Sequence, residues 1–215
     1  MKKAILFDLD GVLLSTDELH YAAWKSVADE LGVPFDKQVN NRLRGVSRMA
    51  SLEIILENGH LTLSPGEKEA VAARKNDRYR ALLMTLTPDT VAPEVRETLS
   101  ALKDRGLKLA IGSSSRNTKL ILAQTDLGGY FDAVSDGTNI TRSKPDPEVF
   151  LKAAAFLGLP PSACAVVEDA VAGVDAANAG GFLSIGIGDA ASYAKTAIPI
   201  TSLADILSMD CFGHP

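Results

Sequence analysis

The chain has 215 residues, 46% of them hydrophobic, enough to bury the core of one α/β domain and of a smaller inserted one. Its 27 acidic side chains outnumber 22 basic ones, for a formal charge of -5, which argues against a nucleic-acid or anionic-membrane partner, since both reward clustered Lys and Arg. No run reaches the ~18 apolar residues of a membrane helix, and the expected protein is soluble, cytoplasmic and monomeric.

Met1-Lys2-Lys3 ahead of Ala4-Ile5-Leu6-Phe7 faintly resembles a secretion signal, but Asp8 and Asp10 end the apolar stretch too early, so residues 4–7 read as a buried first strand. Further short apolar runs with β-branched residues follow at 107–112, 163–167 and 182–187, and helical patterns separate them at 94–105, 147–157 and 170–179. Gly106 and Gly180-Gly181 stand where helices stop, and Pro145 and Pro147 where the second one starts. This alternation predicts an α/β fold with a doubly wound, Rossmann-like parallel sheet.

No credible strand occurs between residues 8 and 88. Leu19, Ala23, Val27 and Leu31 recur at helical spacing before Gly32, and Ser64-Pro65-Gly66-Glu67 combines a capping box with proline at the first helical position. Residues 15–87 therefore read as an inserted helical domain, with 1–14 and 88–215 forming the α/β core, which ends in a helix around 202–209. Cys164 and Cys211 lack metal-ligand spacing and read as plain thiols.

Four blocks in order carry the chemistry: Phe7-Asp8-Leu9-Asp10-Gly11-Val12, Gly112-Ser113-Ser114-Ser115, Lys144-Pro145-Asp146-Pro147 and Val167-Glu168-Asp169-Ala170. A parallel sheet would gather the acidic and hydroxyl members at the carboxyl edge of its strands, where open α/β folds bind ligands. Asp8 is an ionised carboxylate that needs no base to attack phosphorus. Asp10 can act as general acid and base on the same substrate oxygen. A dianionic phosphoryl group approaches Asp8 only if the repulsion is neutralised, which suits Lys144, a cation held by Glu168 and Asp169, and a Ser113 hydroxyl at a helix start. Each block alone is equally a strand-end turn, a solvated lysine or a cap; together they point to magnesium-dependent phosphoryl transfer.

The four blocks resemble the motifs of the haloacid dehalogenase superfamily, and the insert resembles its helical type of cap. Within the superfamily the β-phosphoglucomutase branch is the nearest pattern, over residues 1 to about 188, most clearly in Asp8 to Trp24, Arg44-Gly45-Val46-Ser47-Arg48, Arg74-Lys75-Asn76-Asp77 and Ser113 to Asn117. The resemblance implies that Asp8 is nucleophile and metal ligand and Asp10 the acid/base, whose backbone carbonyl also reaches the metal. It makes Glu168 and Asp169 the remaining Mg2+ ligands, and assigns Ser113, Ser114 and Lys144 to the transferring phosphoryl group. It also implies that Thr16 and His20 couple cap closure to Asp10, that Arg48, with Ser115, Arg116 and Asn117, holds the second phosphate, and that Trp24, Gly45, Val46, Ser47, Ser51 and Lys75 face the sugar.

The implied function is that of a phosphohexomutase converting β-glucose 1-phosphate to glucose 6-phosphate through an aspartyl-phosphate enzyme and a hexose bisphosphate. A second anion site is what such an enzyme needs, since its substrates carry phosphate at either end. Taken singly, Arg48 and Lys75 would be exposed helix residues, His20 a structural histidine and Trp24 cap core. Ser15 stands where the family usually has aspartate, and Arg44 where the branch has lysine. The alternatives are a sugar-phosphate phosphatase, in which water attacks the aspartyl-phosphate, and a phospho-ligand-binding module without turnover.

Overall fold

The computed structural model describes residues 1–43 and 46–213. Arg44 and Gly45 lie outside the described residues. The chain forms two compact units, Met1–Ser15 with Thr87–Pro215, and Thr16–Leu86.

The first unit is built on a parallel sheet of six strands: β1 (Ala4–Phe7), β2 (Lys108–Gly112), β3 (Ala133–Ser135), β4 (Cys164–Glu168), β5 (Leu183–Gly186) and β6 (Ile198–Pro199), in the spatial order β3-β2-β1-β4-β5-β6. β1 therefore lies between β2 and β4, with Phe7 in register with both Ile111 and Val167. The strand residues alternate between faces. Ala4, Leu6, Ala110, Cys164 and Val166 pack with Val149, Phe150, Ala153 and Ala154 of α7 (Glu148–Phe156) and with Ala176 and Ala177 of α8 (Val171–Ala179). Ile5, Phe7, Leu109, Ile111, Ala165 and Val167 face the other way and are equally buried, as expected of a parallel sheet covered on both sides. The helices α5 (Pro93–Asp104) and α6 (Thr118–Gln124) complete the unit.

β3 and β6 are absent from the sequence reading because three and two residues are too short to show a period. The terminal helix expected at 202–209 is a 3-10 stretch, Leu203–Ser208. There Ser202 accepts from Ala204 N, and Asp205 accepts from the amides of Thr201 and Ser202, which tightens so short a segment.

The second unit is helical: α1 (Asp17–Glu30), α2 (Lys37–Asn41), α3 (Arg48–Asn58) and α4 (Pro65–Leu83). Trp24, Val27 and Ala28 of α1 share a core with Leu52, Ile55 and Leu56 of α3 and Val71 and Ala72 of α4. Ser64 and Glu67 form the expected capping box with both reciprocal bonds. Ser15 and Thr87, which the sequence reading places in the insert, belong to the first unit. The Gly11 N–Leu14 O bond holds the chain to the core up to the junction, and Thr87 starts the 3-10 turn Pro88–Thr90 by donating its amide to Thr90. No helix among the described residues is long and apolar enough to cross a membrane.

Candidate active site

Asp8 directly follows β1, with its amide bonded to Val167 O at 3.0 Å, so the central strand delivers its carboxylate beside the end of β4. Glu168 is the last residue of β4 and Asp169 the next. One carboxylate oxygen of each of Asp8, Glu168 and Asp169 lies within 4.8 Å of the others. The Lys144 ammonium donates to Asp8 Oδ1 at 2.5 Å and also to Glu168 Oε1, and lies 4.7 Å from the centroid of the Phe150 ring. Asp8, Lys144 and Glu168 are all buried.

Two glycines make the cluster possible. Gly11 has φ +81°, and a Cβ there would overlap the Asp169 carboxylate; a Cβ at Gly173 would overlap that of Glu168. The remaining Glu168 oxygen accepts from Ala170 N at 3.1 Å. Burial would lower the Lys144 pKa, but the charges of Asp8 and Glu168 reverse this and hold the ammonium protonated, above its ordinary value. Glu168 is pushed up to about 7 by burial, reinforced by the Asp8 charge. Both values rise, although a carboxylate that merely paired with an ammonium would titrate low. One ammonium between carboxylates cannot offset the burial of all of them, and that sets the direction for Glu168.

Ser113, Ser114, Ser115, Arg116 and Asn117 run from β2 to α6. Ser113 Oγ accepts from Ser115 N at 3.2 Å and Ser115 Oγ from Asn117 N at 3.2 Å, so the hydroxyls shape the loop's own backbone. The end of β3 and the loop that follows brace it: Ser113 N donates to Ser135 O, Gly137 N to Ser115 O, and Arg116 Nε to Gly137 O at 3.0 Å. Ser114 Oγ is buried with no partner. Asn117 is buried and Arg116 exposed.

In the helical unit, Thr16, His20, Trp24, Lys75 and Tyr79 meet where α1 crosses α4. Lys75 is buried, not the exposed helix residue its charged neighbours suggest, with its ammonium 2.9 Å from His20 Nδ1, 5.0 Å from the Trp24 ring and 4.4 Å from the Tyr79 ring. Burial, then the charges of Lys75 and Arg48, hold the His20 pKa well below its ordinary value. Arg48 opens α3 and donates to Asn76 Oδ1 at 2.7 Å. Ser47 caps the same helix by accepting from Ala50 N, Val46 is half-buried just before it, and Ser51 is buried within it.

The haloacid dehalogenase-like hydrolase model matches residues 2–181. The chain belongs to the haloacid dehalogenase-like hydrolase family. It is 42% identical to the β-phosphoglucomutase of Bacillus subtilis over 188 residues, covering 86% of this chain and 83% of the relative. It is 32% identical to the fructose-1-phosphate phosphatase of Escherichia coli over 85% of this chain and 95% of that one. The crystal structure of β-phosphoglucomutase from Clostridium difficile superposes with a TM-score of 0.90 at 34% identity, covering 96% of this chain and 93% of that one.

For a member of this family the donor set suits a hard divalent cation. The carboxylates of Asp8, Glu168 and Asp169 offer hard oxygens at close quarters, Lys144 balances one of their three charges, and the bare backbones of Gly11 and Gly173 leave the carboxylates room. Asp10, half-buried, sits in the β-bridge with Leu14 just past the strand, outside this carboxylate cluster. Nothing in the sequence singles out Gly137, Phe150 or Gly173 for this site; Tyr79 alone carries a signal, its i,i+4 spacing from Lys75 on one helix.

Proposed function

We propose that the protein is a magnesium-dependent β-phosphoglucomutase in which Asp8 carries the phosphoryl group. What supports the reading is the Asp8–Lys144 pair together with the braced β2–α6 loop, whose Ser115, Arg116 and Asn117 we assign to a second phosphate that simple hydrolysis does not need to bind. The likeness to the mutase of B. subtilis supports the same assignment.

In the proposed cycle an Asp8 oxygen forms a bond to phosphorus as the bond from phosphorus to the sugar oxygen breaks, and that oxygen takes a proton from Asp10. In the reverse direction Asp10 accepts the proton of the sugar's free hydroxyl as it attacks the aspartyl-phosphate, giving a hexose bisphosphate. The bisphosphate turns over and returns its other phosphate to Asp8. Lys144, Ser113 and Ser114 neutralise and hold the phosphoryl group in flight. Asp8, Glu168, Asp169 and the Asp10 carbonyl would hold Mg2+, which when bound would neutralise charge on the phosphoryl oxygens. Arg48, Ser115, Arg116 and Asn117 bind the distal phosphate; Trp24, Val46, Ser47, Ser51 and Lys75 take the sugar, as does Gly45, which lies outside the described residues; and Thr16 and His20 act on Asp10. The helical unit thus serves as the selecting cap.

The 32% identity to the fructose-1-phosphate phosphatase of E. coli favours a second reading, a sugar-phosphate phosphatase. One assay separates the two: β-glucose 1-phosphate, a trace of the 1,6-bisphosphate and Mg2+, with coupled detection of glucose 6-phosphate and the α anomer as control. Glucose 6-phosphate from the β anomer is expected; release of inorganic phosphate alone would replace the mutase by the phosphatase.

A further inference from the structure

Thr16 immediately precedes α1, the position at which a threonine side chain ordinarily caps the first turn. Here the hydroxyl makes no cap bond; it shares a 2.8 Å hydrogen bond with the Tyr79 hydroxyl instead, and both residues are buried. The Tyr79 ring lies 4.0 Å from the His20 ring and 4.4 Å from the Lys75 ammonium. Thr16 and His20 are one turn apart on α1, joined by the His20 N–Thr16 O bond, and Lys75 and Tyr79 are one turn apart on α4. Thr16 meets Tyr79 while His20 meets Lys75, so the helices run antiparallel and the four side chains form one layer. Because an ammonium only donates, His20 Nδ1 is the acceptor and its proton resides on Nε2.

A phenylalanine would fill the volume of Tyr79 and keep both ring contacts; the hydroxyl adds nothing to packing and, being buried, needs a partner. That partner is the first residue of the helical unit, and Tyr79 lies four residues before the end of α4, so its hydroxyl ties the start of the unit to its last helix.

We propose that Tyr79 is a positioning residue for sugar-phosphate turnover: its hydroxyl pins Thr16 while its ring sets the His20–Lys75 pair, so that the three act as one fixed set. This rests on the roles proposed above for Thr16, His20 and Lys75.

The test is a double-mutant cycle of Tyr79→Phe and Thr16→Val, read as kcat/KM on β-glucose 1-phosphate, with thermal unfolding of each protein. Each single variant is expected to unfold within a few degrees of wild type and to lose about tenfold, and the double variant to lose about tenfold rather than about a hundredfold, because one interaction is removed in all three. The imidazole 15N shifts of His20 should keep the Nε2–H tautomer in Tyr79→Phe and lose it in Tyr79→Leu. Activity of Tyr79→Phe within about twofold of wild type, or single losses that multiply, would overturn the proposal. If wild type does not isomerise the β anomer, the mutase reading fails, and the same cycle is read on the sugar phosphate it hydrolyses fastest, by the same criteria.

Discussion

The Lys144 ammonium lies 2.5 Å from Asp8 Oδ1, so the proposed nucleophile and the cation that would draw a phosphoryl group towards it already touch. The same ammonium bonds Glu168, whose carboxyl is pushed up to about 7 by burial and the Asp8 charge.

Lys144→Ala is therefore expected to lower phosphoryl transfer to Asp8 by about 10²–10³-fold, measured as acetyl-phosphate-dependent labelling. It leaves buried carboxylates without their partner, a loss of about 3–5 kcal/mol that protonation can relieve. A carboxyl raised in the folded state favours folding below its unfolded pKa and loses that contribution as pH rises through the folded value. Denaturant unfolding should show a deficit larger at pH 8 than at pH 5; equal deficits would mean that Glu168 does not carry it.

A Cβ at Gly173 would overlap the Glu168 carboxylate, whereas one at Gly66 meets nothing within 4 Å. Gly173→Ala should weaken Mg2+ binding at least about tenfold by displacing a ligand, an effect of the size seen when groups supporting a metal ligand are lost. Gly66→Ala should leave binding alone and stabilise the protein by up to about 1 kcal/mol through helix propensity. Calorimetric Mg2+ titration of both variants, with chelator reversing the binding, decides the matter.

What the sequence reveals about this molecule depends on whether the signal is local. Asp8, Ser113 and Glu168 stand out because each ends an apolar run, and parallel pairing in register then brings those ends together. Lys75 is opaque: inside Arg74-Lys75-Asn76-Asp77 it reads as solvated, and only the arrival of α1, with Trp24 and His20, gives its ammonium a buried partner. Tyr79 looks like core packing until the Thr16 hydroxyl is seen against it. Gly137 and Gly173 matter for what would overlap them, which no composition records.

His20 supplies a pH signature of its own. Burial and the charges of Lys75 and Arg48 lower its pKa, so the unfolded chain takes up the proton first as pH falls. Stability from this residue is full above its unfolded pKa near 6.5 and declines below it, by up to about 1.4 kcal/mol per pH unit. His20→Gln should flatten the wild-type slope of unfolding free energy between pH 6.5 and 5. Parallel slopes for the two proteins would show that His20 accepts a proton in the folded state.

Arg48 tests the second phosphate site. Its guanidinium, at the start of α3, donates to Asn76 Oδ1 at 2.7 Å, which orients a planar fork suited to an anion. Truncating one partner of a desolvated charge pair costs about 2–5 kcal/mol, so Arg48→Ala should cost about thirtyfold to several thousandfold in kcat/KM for isomerisation. Arg48→Lys should recover part of this, because an ammonium keeps the charge but loses the fork. Phosphorylation of Asp8 by acetyl phosphate, a donor with no second phosphate to grip, should fall far less. The ratio of the two rates, measured on one preparation, is the discriminating quantity. Equal losses would place Arg48 in the fold of the helical unit rather than on the distal phosphate, and the case for a mutase would then rest on Ser115, Arg116 and Asn117 alone.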